Sequence, residues 1–273
     1  MNYKKVVYSQ GLLLVGLLLS PYLYAQQNCS DVALATLTSG GRAELTTSVG
    51  QIEASACKVL PDRPGILLAS AIFADTEDTP LYEDEHDHHW MVMLIDTHNW
   101  RIVAKYKEFI LQDATVDIED DSIWLDTAPY IIAPGHRAFG VRLDIANSHN
   151  CGDAGQNIYL TLFSDKIVQS ELQPLIQKLP MSYWSMSEGV ACGGSERAIS
   201  ENAKAILQVL PSVSHGLYDL KLLTHGQEEV VKNGNFYKGK ATSYQTVLRF
   251  NGKQYSLDWN NIPAKNWYRR IKH

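Results

Sequence analysis

Between Tyr82 and Trp90 the chain reads Glu83-Asp84-Glu85-His86-Asp87-His88-His89, four acids and three histidines in seven positions. Neutral imidazoles ligate zinc and copper, whereas carboxylates suit a harder ion such as calcium. On an extended segment His86 and His88 point the same way, so the two can reach one ion, with His89 and an acid from elsewhere completing the shell. The order is neither HExxH nor HxHxDH, and it lacks the glycine-containing loop of an EF-hand.

The same residues carry two other readings. With Asp75, Glu77 and Asp78 upstream, the stretch is an acidic loop that repels itself, stays wet and blunts the edge of the strand that follows. In such a loop Glu83, Glu85 and Asp87 can steer the molecule towards a basic partner. Histidines among carboxylates also hold their protons more tightly than free imidazole, so the loop loses negative charge as pH falls.

Nucleophilic and acid/base patterns are weak elsewhere. Ser195 in ACGGSER lacks the glycine two places on that a nucleophile elbow requires. Ser214-His215-Gly216 reads as a turn in which the glycine permits an unusual backbone angle. Asp117 and Glu119, in period-two spacing on one strand face, could suit glycoside cleavage but read more simply as edge decoration. Phosphate-cradling and dinucleotide glycine patterns are absent.

These candidates need a scaffold, and the amino-terminus says where it is built. MNYKKVVYSQGLLLVGLLLSPYLYAQQ places Lys4 and Lys5 before an apolar core, then Pro21 and the small residue Ala25, the order of a secretory signal peptide spanning 1–25. No later segment is long enough for a membrane span, so the expected product is periplasmic or secreted. In an oxidising compartment Cys29, Cys57, Cys151 and Cys192 suggest two disulfides. Three pairings exist, and the sequential one, Cys29 with Cys57 and Cys151 with Cys192, closes only medium loops.

Charge divides the mature chain. Residues 26–199 hold 11 Lys and Arg against 25 Asp and Glu, whereas residues 200–273 hold 11 against 5. An acidic body argues against nucleic acid as a partner. The end of the chain is basic and aromatic, and Trp267, Tyr268, Arg269 and Arg270 form a candidate contact patch for another envelope protein.

The dominant hydrophobic period is two. RAFGVRLDI and NIYLTLF alternate as half-buried strands, and WMVMLIDT, apolar on both faces, reads as a central strand that turns at His98 and Asn99 into a second one. Ala133-Pro134-Gly135 marks another hairpin turn. Asn251-Gly252 predicts a two-residue type I′ turn with Phe250 facing Lys253 and Leu248 facing Tyr255. LYDLKLLT supplies a third strand there, and Pro174 argues for extended structure rather than helix over 168–179. Trp90, Trp100 and Trp124 fall at core positions. The fold expected is mainly β: a β-sandwich-like domain over 26–190, a smaller β-rich module over 200–261 behind the Gly- and Ser-rich SMSEGVACGGSER, and a basic tail over 262–273.

WLDTAPYIIAPGHRAFGVRLD resembles a pattern in uncharacterised exported proteins of Gram-negative bacteria, and SHGLYDLKLL with VLRFNGKQY is similar to a small C-terminal module on secreted bacterial chains. The resemblance covers about a third of the chain. It implies a β-rich fold and a periplasmic location, and brings no activity, cofactor or site residue. Taken together, these features point to a soluble periplasmic binding protein, of the inhibitor or immunity type that neutralises an envelope-targeting enzyme or toxin. The alternative is a metal-binding periplasmic protein, a carrier or metal-dependent hydrolase, built on the 83–89 cluster.

Overall fold

Strands that alternate on one face or are apolar on both must stack to bury those faces, and in the computed structural model they do so as three antiparallel sheets. It describes residues 27–45, 49–75, 87–113, 116–145, 154–189 and 196–256. The fold is mainly β, as the alternation predicts. The first sheet is a meander of β1 (Val49–Leu60), β2 (Arg63–Asp75), β3 (His88–Asp96) and β4 (Arg101–Ile110) in sequential order. A second holds β5 (Ile123–Ala133), β6 (His136–Asp144), β8 (Ile158–Ser164) and β9 (Pro174–Pro180).

The third sheet runs in the order β14 (Tyr255–Ser256), β13 (Asn235–Phe250), β12 (Leu217–Lys232), β11 (Arg197–Ser214), β10 (Ser182–Glu188) and β7 (Ala154–Gln156). The segment read as a domain boundary therefore joins two strands that pair directly, Trp184 of β10 facing Asn202 of β11.

The layers share faces. Trp90, Val92 and Leu94 of β3 pack with Leu125, Phe139, Val141 and Phe163 between the first and second sheets. On the opposite side of β3, Met91, Met93 and Ile95 meet a helix, α1 (Asp31–Glu44), through Ala33 and Leu37. This accounts for the run from Trp90 to Ile95 being apolar on both faces and fully buried. The second sheet turns its other face, including Tyr130, Ile132, Leu160 and Leu162, to Leu207, Leu220, Leu222 and Leu248 of the third.

Helix α1 is absent from the period-two reading. Ser30 caps it, its hydroxyl accepting from the Ala33 N–H at 3.3 Å. Buried Gly40 and Gly41 let its last turn lie close to the sheet: a β-carbon at Gly41 would stand 2.8 Å from the Phe73 ring. Lys105 pairs with Glu44, and the Lys107 ammonium donates to the Glu44 carbonyl at 3.0 Å, so two cations sit at the helix C-terminus where its dipole is negative.

Turns follow the sequence in two hairpins and depart from it in a third. Gly135 (φ 65°) closes β5 to β6, and His215 (φ 49°) with Gly216 (φ 87°) closes β11 to β12. At Asn251-Gly252 the loop is wider than a type I′ turn: Phe250 pairs with Tyr255 rather than facing Lys253. The Asn251 side-chain oxygen accepts from the amides of Lys253 and Gln254, each at 2.9 Å, which stabilises four loop residues instead of two. Only Gly252 takes a positive φ there, whereas a type I′ turn needs two.

Cys29 and Cys57 form a disulfide, and among the described residues no cysteine is free. Cys151 and Cys192 lie outside the described residues, as do the signal peptide, Glu83, Glu85, His86 and the patch from Trp267 to Arg270. No helix among the described residues is long and apolar enough to cross a membrane. Trp90 is fully buried and Trp100 partly so, but Trp124, placed in the core by its spacing, is 51% exposed. It stands on the edge strand β5 with the Arg142 guanidinium 4.7 Å above its ring.

Candidate functional site

The root of the acidic stretch is the junction of β2 and β3. The Asp75 amide donates to the Asp87 carbonyl at 2.7 Å, closing the ladder there, and the Asp87 carboxylate accepts from the Gln112 amide at 2.8 Å. From that point the strand's alternation sends His88 to the face covered by the second sheet and His89 to the face covered by α1. β3 is interior, between β2 and β4, and not an edge strand.

His88 is buried with a partner on each ring nitrogen: Nδ1 lies 2.8 Å from Glu53 Oε2 and Nε2 lies 2.9 Å from Gln112 Oε1. The Gln112 amide nitrogen in turn donates to the Val116 carbonyl at 3.1 Å. Burial works against the charged ring, but the polar contacts with Glu53 and Gln112 and the charges of Glu53 and Asp87 outweigh it and raise the His88 pKa above its ordinary value. Nε2 has the Gln112 oxygen as its hydrogen-bond partner, whereas Nδ1 faces the Glu53 carboxylate at ion-pair distance but off the line of a good hydrogen bond, so the carboxylate's charge favours the imidazolium. His89 Nε2 lies 3.0 Å from Asp75 Oδ2, and its ring meets Phe109 edge-on at 5.4 Å.

Of the three histidines read as ligands for zinc, copper or calcium, His86 lies outside the described residues, and His88 and His89 diverge to opposite sides of the sheet, each beside a carboxylate. Among the described residues no group of three or more His, Cys, Asp or Glu side chains is placed to hold a metal ion.

Glu53 connects His88 to a cleft of about 410 Å³ between α1 and β1, lined by Thr38, Arg42, Gln51, Ser55 and Asp120 among others. A bulge between Ile52 and Ala54 turns β1 there, and the Glu53 side chain is 25% exposed. The Glu53 carboxylate thus borders the cleft on one side and His88 on the other.

Two further polar clusters are built on buried groups, the first leaving His136 Nδ1 without a hydrogen-bond partner among the described residues. His136 Nε2 faces both Ser164 Oγ at 2.9 Å and Asp165 Oδ1 at 3.3 Å. A catalytic triad places its acid and its nucleophile on opposite nitrogens, so this cluster lacks triad geometry. Burial and the nearby Lys166 hold the His136 pKa below its ordinary value despite Asp165. Buried Asp126 accepts from Arg142 at 2.6 and 3.0 Å, from the Tyr130 hydroxyl at 2.9 Å and from the Ala128 amide at 3.1 Å. Asp117 and Glu119 fall in the loop before β5 rather than on a strand face.

The third sheet carries a feature that the sequence reading missed. Beyond the buried residues of β11 to β13, the strands continue as an arm to the turn at Asn233 (φ 49°) and Gly234 (φ 74°). Past that turn Phe236 is 79% exposed and Tyr237 56% exposed, with Lys238 and Lys240 following. The signal was present: Asn-Gly between VVK and NFYK is a type I′ hairpin pair. It supplies the kind of aromatic and basic surface sought in the carboxy-terminal tail. Comparison of the chain with family models, with curated proteins and with solved structures finds no match.

Proposed function

We propose that the protein is an exported envelope protein that acts by binding another protein, in the manner of an inhibitor or immunity protein that neutralises an enzyme or toxin aimed at the envelope. The observation that carries this reading is the arm: a long three-stranded extension that holds Phe236 and Tyr237 in solvent on paired strands. A stable fold gains nothing from exposing a phenylalanine at such a tip, and aromatic anchors on rigid elements are what protein interfaces use. The Cys29–Cys57 disulfide is in keeping with an oxidising compartment.

The test places a photo-crosslinking residue at position 236 and, as a control, at position 35 on α1, in cells carrying the full chain. A discrete partner captured from 236, not from 35, and lost when Tyr237 is changed to Ser, supports the reading. Equal, diffuse labelling from both positions overturns it.

A further inference from the structure

The arm has an edge as well as a tip. Between Asn235 and Ser243 the inner side of β13 pairs with β12, broken by a bulge at Gly239 and Lys240 where the Gln227 and Glu228 side chains take the Gly239 carbonyl and the Lys240 amide. Among the described residues no strand lies along its outer side, since β14 pairs only with Arg249 and Phe250. An unpaired row of backbone amides and carbonyls is a template for one more strand, and it recognises an extended polypeptide rather than a nucleic acid or a lipid. We propose that this edge binds an extended, acidic segment of a partner protein by strand addition.

Charge selects the occupant. From Asn233 to Ser256 the chain carries Lys238, Lys240, Arg249 and Lys253 and no carboxylate. The inner neighbour already shows the preference: Glu229 of β12 stands opposite Lys238, and the Glu228 carboxylate accepts from the Lys240 amide at 2.9 Å. Lysines and a bulge on an edge ordinarily discourage a second strand, and a second copy laid along this one would bring its own Lys238 and Lys240 to the same basic edge. An acidic strand turns the same two residues from an obstacle into a selectivity device.

The inference rests on the binding reading above and specifies its chemistry. The probe is a synthetic peptide of alternating Val and Glu, added to the intact mature protein while amide hydrogen exchange is followed by residue. Protection gained over 235–243 is the expected result. It should weaken about tenfold in the Lys238→Glu/Lys240→Glu protein, where two attractive cross-strand pairs become repulsive. An N-methylated peptide of the same side chains should give no protection, because it keeps the charge and loses the backbone ladder.

Protection that survives N-methylation, or equal protection by an alternating Val and Lys peptide, overturns strand addition by an acidic segment. So does a reversible dimer of the free protein that occupies the same amides. Absence of peptide binding together with a partner captured at position 236 sinks this inference and leaves the binding function standing. Absence of both removes the two together.

Discussion

Glu53 on β1 and His88 on β3 meet at 2.8 Å across the intervening strand β2, so a buried ion pair ties three strands together at the root of the acidic loop. The histidine is enclosed and the glutamate borders a cleft, which makes the pair a link between solvent and the interior of the first sheet.

That pair makes stability depend on pH with a defined sign. The folded His88 pKa lies above its ordinary value of 6.5, so the contribution is complete below that value and disappears as pH rises through the folded pKa. His88→Gln should therefore cost about 1 kcal/mol near pH 5.5, a figure discounted for the partial exposure of Glu53, and much less near pH 8.5. Urea unfolding of both proteins at the two pH values measures it. A cost that grows with pH would show that the neutral ring is the form the fold prefers.

Asp126 and Arg142 present the opposite case, a buried carboxylate whose main compensation is a guanidinium, with the Tyr130 hydroxyl and the Ala128 amide as its further donors. Asp126→Asn leaves the Arg142 guanidinium enclosed beside Trp124 and should destabilise by roughly 3 kcal/mol, whereas replacing both residues by apolar ones of similar volume should cost far less. Denaturant midpoints of the single and double variants decide this. Equal losses would mean that packing, not charge, dominates the cluster.

Much of this architecture is legible in the sequence because burial on a sheet imposes a period of two. Both-face apolarity marks β3 as interior, and Pro174 marks β9 as extended. Helix α1 escapes because Gly40 and Gly41 replace the large apolar residues that would have declared its buried face, and only the sheet opposite explains them. Trp124 misleads for a related reason: its alternation is right for β5, but the cover over that face is an arginine rather than another strand. The divergence of His88 and His89 follows from alternation alone, whereas their partners Glu53 and Asp75 come from other strands and are visible only in the fold.

The two helix glycines separate propensity from packing. Alanine at either site gains about 1 kcal/mol of helix propensity over glycine. At Gly40 the new methyl would meet the flexible ends of Ile102 and Met93, which can yield, so Gly40→Ala should be close to neutral. At Gly41 it would meet the ring of fully buried Phe73, and overpacking there should leave Gly41→Ala about 1–2 kcal/mol less stable. Thermal unfolding of the two variants checks the ranking, and a stabilised Gly41→Ala would show that α1 is free to lift from the sheet.

The disulfide should act beyond its own loop. Cys29 and Cys57 are separated by 28 residues, for which chain entropy alone gives about 3.5 kcal/mol. Between them runs α1, and beside them Gln27 performs two tasks. Its carbonyl accepts from the Cys57 amide at 2.7 Å, and its side-chain amide exchanges hydrogen bonds with the Leu125 backbone at 3.0 and 2.6 Å. Gln27 thus substitutes for a missing strand on the edge of β5 and joins the first sheet to the second. The Cys29→Ser/Cys57→Ser variant should lose stability and also expose the Leu125 amide, while Gln27→Ala should expose that amide with the disulfide intact. Hydrogen exchange read at Leu125 in both variants tests the coupling. Leu125 protection unchanged by loss of the disulfide would show that Gln27 holds the edge without help from the cross-link.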